Sequence, residues 1–285
     1  MTTRLITVTT MVLLIVAPSV RSQASFDACR ITYVANEGFL IETKHHRVLV
    51  DALFGNIEGD WCDQPTDSVA NLMLEGIAPF DKIDVVLVTH KHIDHFNGPM
   101  VVKFLMNNRK SVLICPDQVN ELLQRNADYS EVSERVHSLK SAIPFDTTLR
   151  VKNADIRVLR FNHGSYFETD SVTGKAYDRH RGVENFGYLI MADGYTLFHS
   201  GDGSPSDKTL YVTYGFGKKE LDVVFLDRLF LQRDGQELMS EYLKTRNLIL
   251  MHIQRQSREY YKSAIRSVPA MFVFTSFLET KVITK

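Results

Sequence analysis

The sequence predicts an α/β layered sandwich with mixed sheets. Two patterns lead there. Hairpin-like segments come early, and short apolar runs then alternate with stretches of helical apolar spacing. Several of the apolar runs also end in a single His or Asp, and strand ends are rigid enough to hold such residues in fixed geometry.

The elements follow in order. Ile31–Val34 and Gly38–Thr43 read as strands, and Lys44-His45-His46-Arg47 is a basic, solvated turn. Val48-Leu49-Val50 is the next strand, closed by Asp51. Residues 64–79 are helix or loop, and Val85–Val88 is a buried strand. Pro99–Asn107 has helical spacing, followed by a strand at 112–115, a helix at 118–126 and a polar helical stretch near 130–137 that carries His137. Leu149–Lys152 and Ile156–Phe161 flank Asn153-Ala154-Asp155 as a hairpin. Gly187–Met191 and Tyr195–His199 flank Ala192-Asp193-Gly194, where Asp-Gly supports positive φ. Val223–Leu226 and Leu248–Met251 are short apolar strands, and residues 236–245 and 257–266 are helices. Trp61, Phe225, Phe230, Phe272, Phe274 and Phe277 are expected in the core.

The first 24 residues differ in character. Arg4 precedes the apolar stretch Met11–Ala17, Pro18 breaks it, and Ser22-Gln23-Ala24 has the small-x-small form of a cleavage site. The segment reads as a secretory signal peptide, with a buried or amphipathic helix as the alternative. Its apolar part is well short of the ~20 residues that span a bilayer. The expected location is secreted or periplasmic. Residues 25–285 show no repeat, low-complexity block or linker and read as one domain. With 44% hydrophobic and 24% charged residues, the chain can bury a sizeable core. Without the leader it has 31 basic and 34 acidic residues, a formal charge of −3. That balance offers no broad attraction for nucleic acid, but a small anion held locally remains compatible with it. In an oxidising compartment Cys29 and Cys62 can pair, with three free thiols as the alternative, and Cys115 sits in a strand. Oligomeric state leaves no mark on the sequence.

The chemistry concentrates in Thr89-His90-Lys91-His92-Ile93-Asp94-His95, straight after the strand ending at Val88. His and Asp side chains are ligands for divalent metals. His-x-His lets two rings converge on one ion, and the displaced Asp-His pair can serve a second. Four further residues follow strand-like runs: Asp51, His163, Asp202 and His252. His199 lies three residues before Asp202, and strand alternation gives it a packing role. Residues 165–182 form a long polar insertion after His163. It reads as a solvated loop or as a cap whose Tyr166, His180 and Arg181 reach a substrate anion.

On His90-Lys91-His92-Ile93-Asp94-His95, Asn162-His163-Gly164, Ser200-Gly201-Asp202, Met251-His252 and the upstream Asp51, residues 30–255 resemble the metallo-β-lactamase superfamily. The resemblance implies a four-layer αββα sandwich with two mixed sheets and a site at one edge. It implies that His90, His92 and His163 bind one metal, that Asp94, His95 and His252 bind a second, that Asp202 bridges both, and that Asp51 steadies the His-rich loop. Glu184–Ile190, Phe198–Asp202 and Leu221–Leu226 followed by Leu250–His252 look like the branch containing ascorbate-6-phosphate lactonase and N-acyl phosphatidylethanolamine phospholipase D. Two divalent ions, zinc foremost with manganese or iron also suited to these ligands, imply a hydrolase in which a bridging hydroxide attacks a small ester, lactone or phosphodiester. Asp94 would orient the hydroxide or pass its proton on. The alternatives are a β-lactamase-like amide hydrolase, against which a bridging Asp argues, and a metal-binding protein without turnover.

Overall fold

A computed structural model describes residues 28–267 and 270–285; the expected leader, residues 1–24, lies outside the described residues. In chain order, β1 (Cys29–Ala35), β2 (Gly38–Glu42), β3 (Arg47–Val50), β4 (Val85–Leu87), β5 (Val112–Pro116) and β6 (Val136–Leu139) build the first sheet. β7 (Asp146–Val151) and β8 (Ala154–Phe161) begin the second, and β9 (Phe167–Thr169) and β10 (Ala176–Asp178) form a separate small hairpin. β11 (Asn185–Ala192), β12 (Tyr195–His199), β13 (Val223–Asp227), β14 (Leu248–Met251) and β15 (Met271–Phe272) complete the second sheet, and β16 (Thr280–Ile283) returns to pair antiparallel with β1. The orders are β16-β1-β2-β3-β4-β5-β6 and β15-β14-β13-β12-β11-β8-β7, so each seven-stranded sheet mixes antiparallel hairpins with parallel strands.

Strand alternation sorts the side chains into layers. Val48 and Val50, Val85 and Leu87, Val223 and Phe225, Ile249 and Met251 point between the sheets into one continuous apolar core. Leu49 and Val86 point outward, where α1 (Asp67–Leu74), α2 (Gly98–Asn107) and α3 (Asp117–Leu123) bury them with Met73, Phe104 and Val119. Val224 and Leu226 face outward on the second sheet beneath α4 (Lys208–Thr213) and α5 (Arg233–Tyr242), with Tyr211 and Leu238 as the covering residues. α6 (Arg258–Ala264) lies beyond β14, near its edge of that sheet. Strands apolar on both faces are what a sheet covered on both sides requires. The result is the αββα sandwich. No helix among the described residues is long and apolar enough to cross a membrane.

Some local expectations are corrected. Residues 130–137 are not a helix: short 3₁₀ turns at Ala127–Glu131 and Ser133–Arg135 lead into β6, which pairs parallel with β5. The open edge of β5 supplies hydrogen-bond partners that outweigh the polar pattern, and His137 is an exposed residue of that strand. α4, β15 and β16 were not anticipated. His46 is buried rather than solvated, with Nδ1 3.7 Å from the Asp84 carboxylate. Trp61 is not in the core: it is 44% exposed. Cys29 and Cys62 are free thiols and not a disulfide; Cys29 packs between the sheets, whereas Cys62 packs with Ala35, Phe54 and Ile57. Burial pushes both thiols up to about 12.

Gly38 closes the β1–β2 turn directly against the end of β3. A Cβ there would lie 2.8 Å from the Asp51 carbonyl oxygen and 2.9 Å from that of Ala35. Both obstacles are backbone, so Gly38→Ala must push the two segments apart. The expected loss of stability is about 1–3 kcal/mol, read as a lower urea midpoint with unchanged slope; an unaltered midpoint would show that this approach is not constrained.

Candidate metal centre

The site forms where loops at the ends of strands from both sheets meet at one edge. Asp51 follows β3 in a left-handed conformation, φ +42°, and is fully buried. Its Oδ1 accepts the Thr89 backbone N–H at 2.8 Å; its Oδ2 accepts the Thr89 hydroxyl at 2.6 Å and the His95 Nδ1–H at 2.9 Å. One carboxylate therefore ties down both ends of the His-rich loop.

Hydrogen-bond roles decide which nitrogen each imidazole keeps free. The single Thr89 hydroxyl hydrogen goes to Asp51, so the His90 Nδ1 that meets the same oxygen at 3.0 Å must donate to it. Nδ1 of His95 donates to Asp51, Nδ1 of His163 to the Gly164 carbonyl at 2.8 Å, and Nδ1 of His252 to Asp227 at 2.5 Å. Each of these four rings is left with an unprotonated Nε2 for a metal, the arrangement that outer carboxylates and carbonyls commonly impose. His92 instead presents Nδ1, 3.0 Å from His90 Nε2.

These atoms form two groups. His90 Nε2 lies 3.3 Å from His163 Nε2, and Asp202 Oδ2 lies 3.3 Å from His163 Nε2 and 3.9 Å from His90 Nε2. In the second group, Asp94 Oδ2 lies 3.3 Å from His252 Nε2 and 3.5 Å from His95 Nε2, while Asp202 Oδ1 lies 3.3 Å from His95 Nε2. A tetrahedron with zinc–ligand bonds of about 2.0–2.1 Å has edges of about 3.3 Å. His95 Nε2 and Asp202 Oδ1 are buried without a hydrogen-bond partner, which is the expected state of atoms that complete a metal shell. The donor set thus fits two divalent ions, with Asp202 offering one oxygen to each group. All seven residues named from the sequence converge here.

Asp202 is set by its neighbours. Asn185 accepts its backbone N–H and donates to the Ser200 carbonyl, both at 3.1 Å. Gly201 between them has φ +52°, and a Cβ there would lie 2.5 Å from Asn185 Oδ1 and 2.8 Å from Thr89 Cβ. His199 is buried and bonds through Nε2 to the Glu37 carbonyl at 3.0 Å, the packing role expected of it.

The electrostatics differ between the groups. Burial, reinforced by the neighbouring His163, lowers His92 to about 3, and burial with His95 nearby holds His90 well below its ordinary value. Burial opposes charge on His95 and His252 as well, but Asp202 and the other carboxylates beside them raise both well above the ordinary value. Burial likewise opposes ionisation of Asp94, yet His95 and His252 hold it well below the carboxylate range.

Three contributors escaped the sequence reading. Asp227 orients His252, and it ends an apolar run as the other ligands do, so the same pattern would have found it. Asn36, at φ +49°, donates to the Asp94 carboxylate at 3.2 Å. Glu37 is fully buried with both carboxylate oxygens unpaired, 3.9 Å from His95 Nδ1 and 4.0 Å from His252 Nδ1; burial and Asp202 push its carboxyl well up. Neither Asn36 nor Glu37 had a local signal.

A cleft of about 670 Å³ opens onto the groups, lined among others by His92, Asp94, Asp202, His252, Tyr166 and His180. The 165–182 insertion, largely exposed, contributes Tyr166, Arg179 and His180 to the cleft wall. The His180 ring sits 4.3 Å from that of His163 and stacks on Tyr166 at 5.6 Å. Arg181 is corrected: it is exposed and does not line the cleft, where Arg179 takes its place.

The profile of the β-lactamase superfamily domain matches residues 46–254. The chain belongs to the β-lactamase superfamily. Among similar proteins, a metal-dependent hydrolase of Thermodesulfovibrio yellowstonii is 25% identical over 183 residues, covering 63% of this chain and 61% of that protein. A metal-dependent hydrolase of Bacillus velezensis is 24% identical over 228 residues, covering 78% of this chain and 84% of the relative. The chain thus spans less than two thirds of the first relative's length. The fold matches that of a metallo hydrolase from the archaeon Ignicoccus hospitalis, with a TM-score of 0.57 at 16% identity over 90% of this chain and 99% of the other. It also matches a metallo-β-lactamase fold protein of Bacillus subtilis, with a TM-score of 0.54 at 16% identity over 90% of this chain and 99% of the other, so the sandwich is the metallo-β-lactamase fold.

Two outcomes follow. Asp227→Asn removes the charge that orients His252 and should weaken retention of one ion about 10–100-fold in chelator competition; equal retention would make Asp227 dispensable. In protein stripped of metal, the raised His95 and His252 rings hold protons at neutral pH, so an ion must displace them. Binding at that group should strengthen as pH rises from about 5 to 8 with proton release, while His90 and His92, already neutral, give a flatter profile. Identical slopes for two ions in calorimetric titrations at several pH values would contradict this difference.

Proposed function

We propose that the protein is a metal-dependent hydrolase that uses two divalent ions, zinc foremost, on a small ester, lactone or phosphodiester. The observation that carries the reading is the convergence of two three-residue ligand groups on the two oxygens of Asp202. The names of the relatives, metal-dependent hydrolases, agree with it. His90, His92 and His163 would hold one ion, Asp94, His95 and His252 the other.

When bound, the ion pair lowers the pKa of water toward neutrality and polarises the substrate oxygen. The remaining work falls to the chain. Asp51 and Asp227 fix the ring orientations. Asp94 faces the cleft with a carboxylate kept ionised, so it would accept a proton from the attacking water or deliver one to the leaving oxygen. Tyr166 and His180, which line the cleft, would orient the substrate. The leader read in residues 1–24 would place the reaction outside the cytoplasm, in a secreted or periplasmic setting.

The test uses purified protein with para-nitrophenyl ester, lactone and bis(para-nitrophenyl) phosphate reporters. Turnover of at least one should vanish with chelator and return with added metal. Asp202→Asn should fold normally but lose at least about a hundredfold in kcat, because several kcal/mol of transition-state stabilisation depend on the ion pair. Unchanged turnover in that variant would refute the bridging role, and absence of turnover on all reporters with ions bound would assign a binding function.

A further inference from the structure

Beyond the metal ligands, the cleft wall has a composition of its own. Among the described residues, the carboxylates lining it, Asp94 and Asp202, belong to the two ligand groups, whereas Lys91, Arg179 and Arg228 line the same space. Arg179 is paired with Glu168 at 2.8 Å on the β9–β10 hairpin. Lys91 and Arg228 form no ion pair or hydrogen bond among the described residues. Each is one residue from the metal-site machinery: Lys91 sits between His90 and His92, and Arg228 follows Asp227. The His-rich loop and the segment after β13 that carries Asp227 therefore each present a cation without a described partner to the cleft. With the ligand carboxylates committed to metal, the wall has an uncompensated positive field that concentrates anions.

The mouth is apolar beside those cations. Trp61, Ile93 and Tyr166 all line it and are 44%, 59% and 52% exposed. Large apolar side chains gathered at one cleft while left open to water mark a surface that a ligand covers.

We propose that the site selects substrates carrying a negative charge of their own beside an aromatic or extended apolar group, the anion meeting Lys91 and Arg228 and the apolar part meeting Trp61, Ile93 and Tyr166. This rests on the hydrolase reading for turnover, but binding tests it separately. A carboxylate or phosphate supplies the anion; a neutral ester leaves both cations unused.

Two measurements on the metal-loaded chain decide it. In the first, para-nitrophenyl hexanoate and mono-para-nitrophenyl adipate are compared, differing in a terminal methyl against a carboxylate. The adipate should have at least a tenfold higher kcat/KM, and Arg228→Gln and Lys91→Gln should each cut that ratio about tenfold, the worth of one charge-assisted contact. Equal efficiency on both esters, or an unchanged ratio in both variants, overturns the proposal. In the second, fluorescence of Trp61, the sole tryptophan, is titrated with phenylphosphonate and with benzyl alcohol. Phenylphosphonate should saturate the signal, with about tenfold weaker binding in each variant. Binding of benzyl alcohol equal to that of phenylphosphonate, or variants that bind phenylphosphonate as the wild type does, overturns it. If neither ester is hydrolysed, ester substrates are removed from the hydrolase reading while the fluorescence titration still decides the anion preference.

Discussion

The buried carboxylate of Asp51 is the interaction on which the site depends. A carboxylate removed from water is costly unless its oxygens are satisfied. Here three donors satisfy it: the backbone and hydroxyl of Thr89 and the ring of His95. Those bonds span the His-rich loop from its first residue to its last, so the desolvation cost is offset only when the loop has its site geometry. The Thr89 hydroxyl passes the constraint to His90. Folding of the first sheet and presentation of its ligands are thereby one event.

The second sheet is held to this loop by direct bonds as well as by the shared apolar core. The Phe186 N–H donates to the Thr89 carbonyl at 2.9 Å, and the buried Tyr188 hydroxyl reaches the Val88 carbonyl at 2.7 Å. Asn185, next in line, fixes the turn that carries Asp202. Asp202 is thus located by contacts with the strand end whose loop supplies members of both ligand groups. A shift between sheets would misplace Asp202 relative to both groups, which is why a rigid two-sheet core suits a site needing tolerances of a few tenths of an ångström.

Much of this was legible in the sequence because strand and site use the same signal. An apolar run buried on both faces, followed by one His or Asp, marks a strand end and a ligand together, and it identified Asp51, His90, His163, Asp202 and His252. Asp227 obeys the same rule after Val223–Leu226. The failures were non-local. Trp61 is apolar but sits in a loop at the cleft mouth, and His46 lies in a basic turn but falls onto Asp84. β6 is a polar edge strand made by the open side of β5. Asn36 and Glu37 occupy an ordinary-looking turn whose importance arises only from Gly38 packing against the Asp51 backbone. Arg179 directly follows β10 and lines the cleft, whereas Arg181 lies two residues further along the turn and does not.

The charge pattern connects architecture to chemistry. Burial keeps His90 and His92 neutral, whereas the carboxylates beside His95 and His252 favour positive charge there, whether as protons or as metal. Lysine and arginine on the adjoining loops extend that preference to the substrate side. The central claim is that Asp202 joins two ions. Anomalous diffraction from crystals of metal-loaded protein tests it most directly. The account predicts two peaks, one among His90, His92 and His163 and one among Asp94, His95 and His252, each beside a different oxygen of Asp202. A single peak, or two peaks that leave Asp202 uncoordinated, would contradict it.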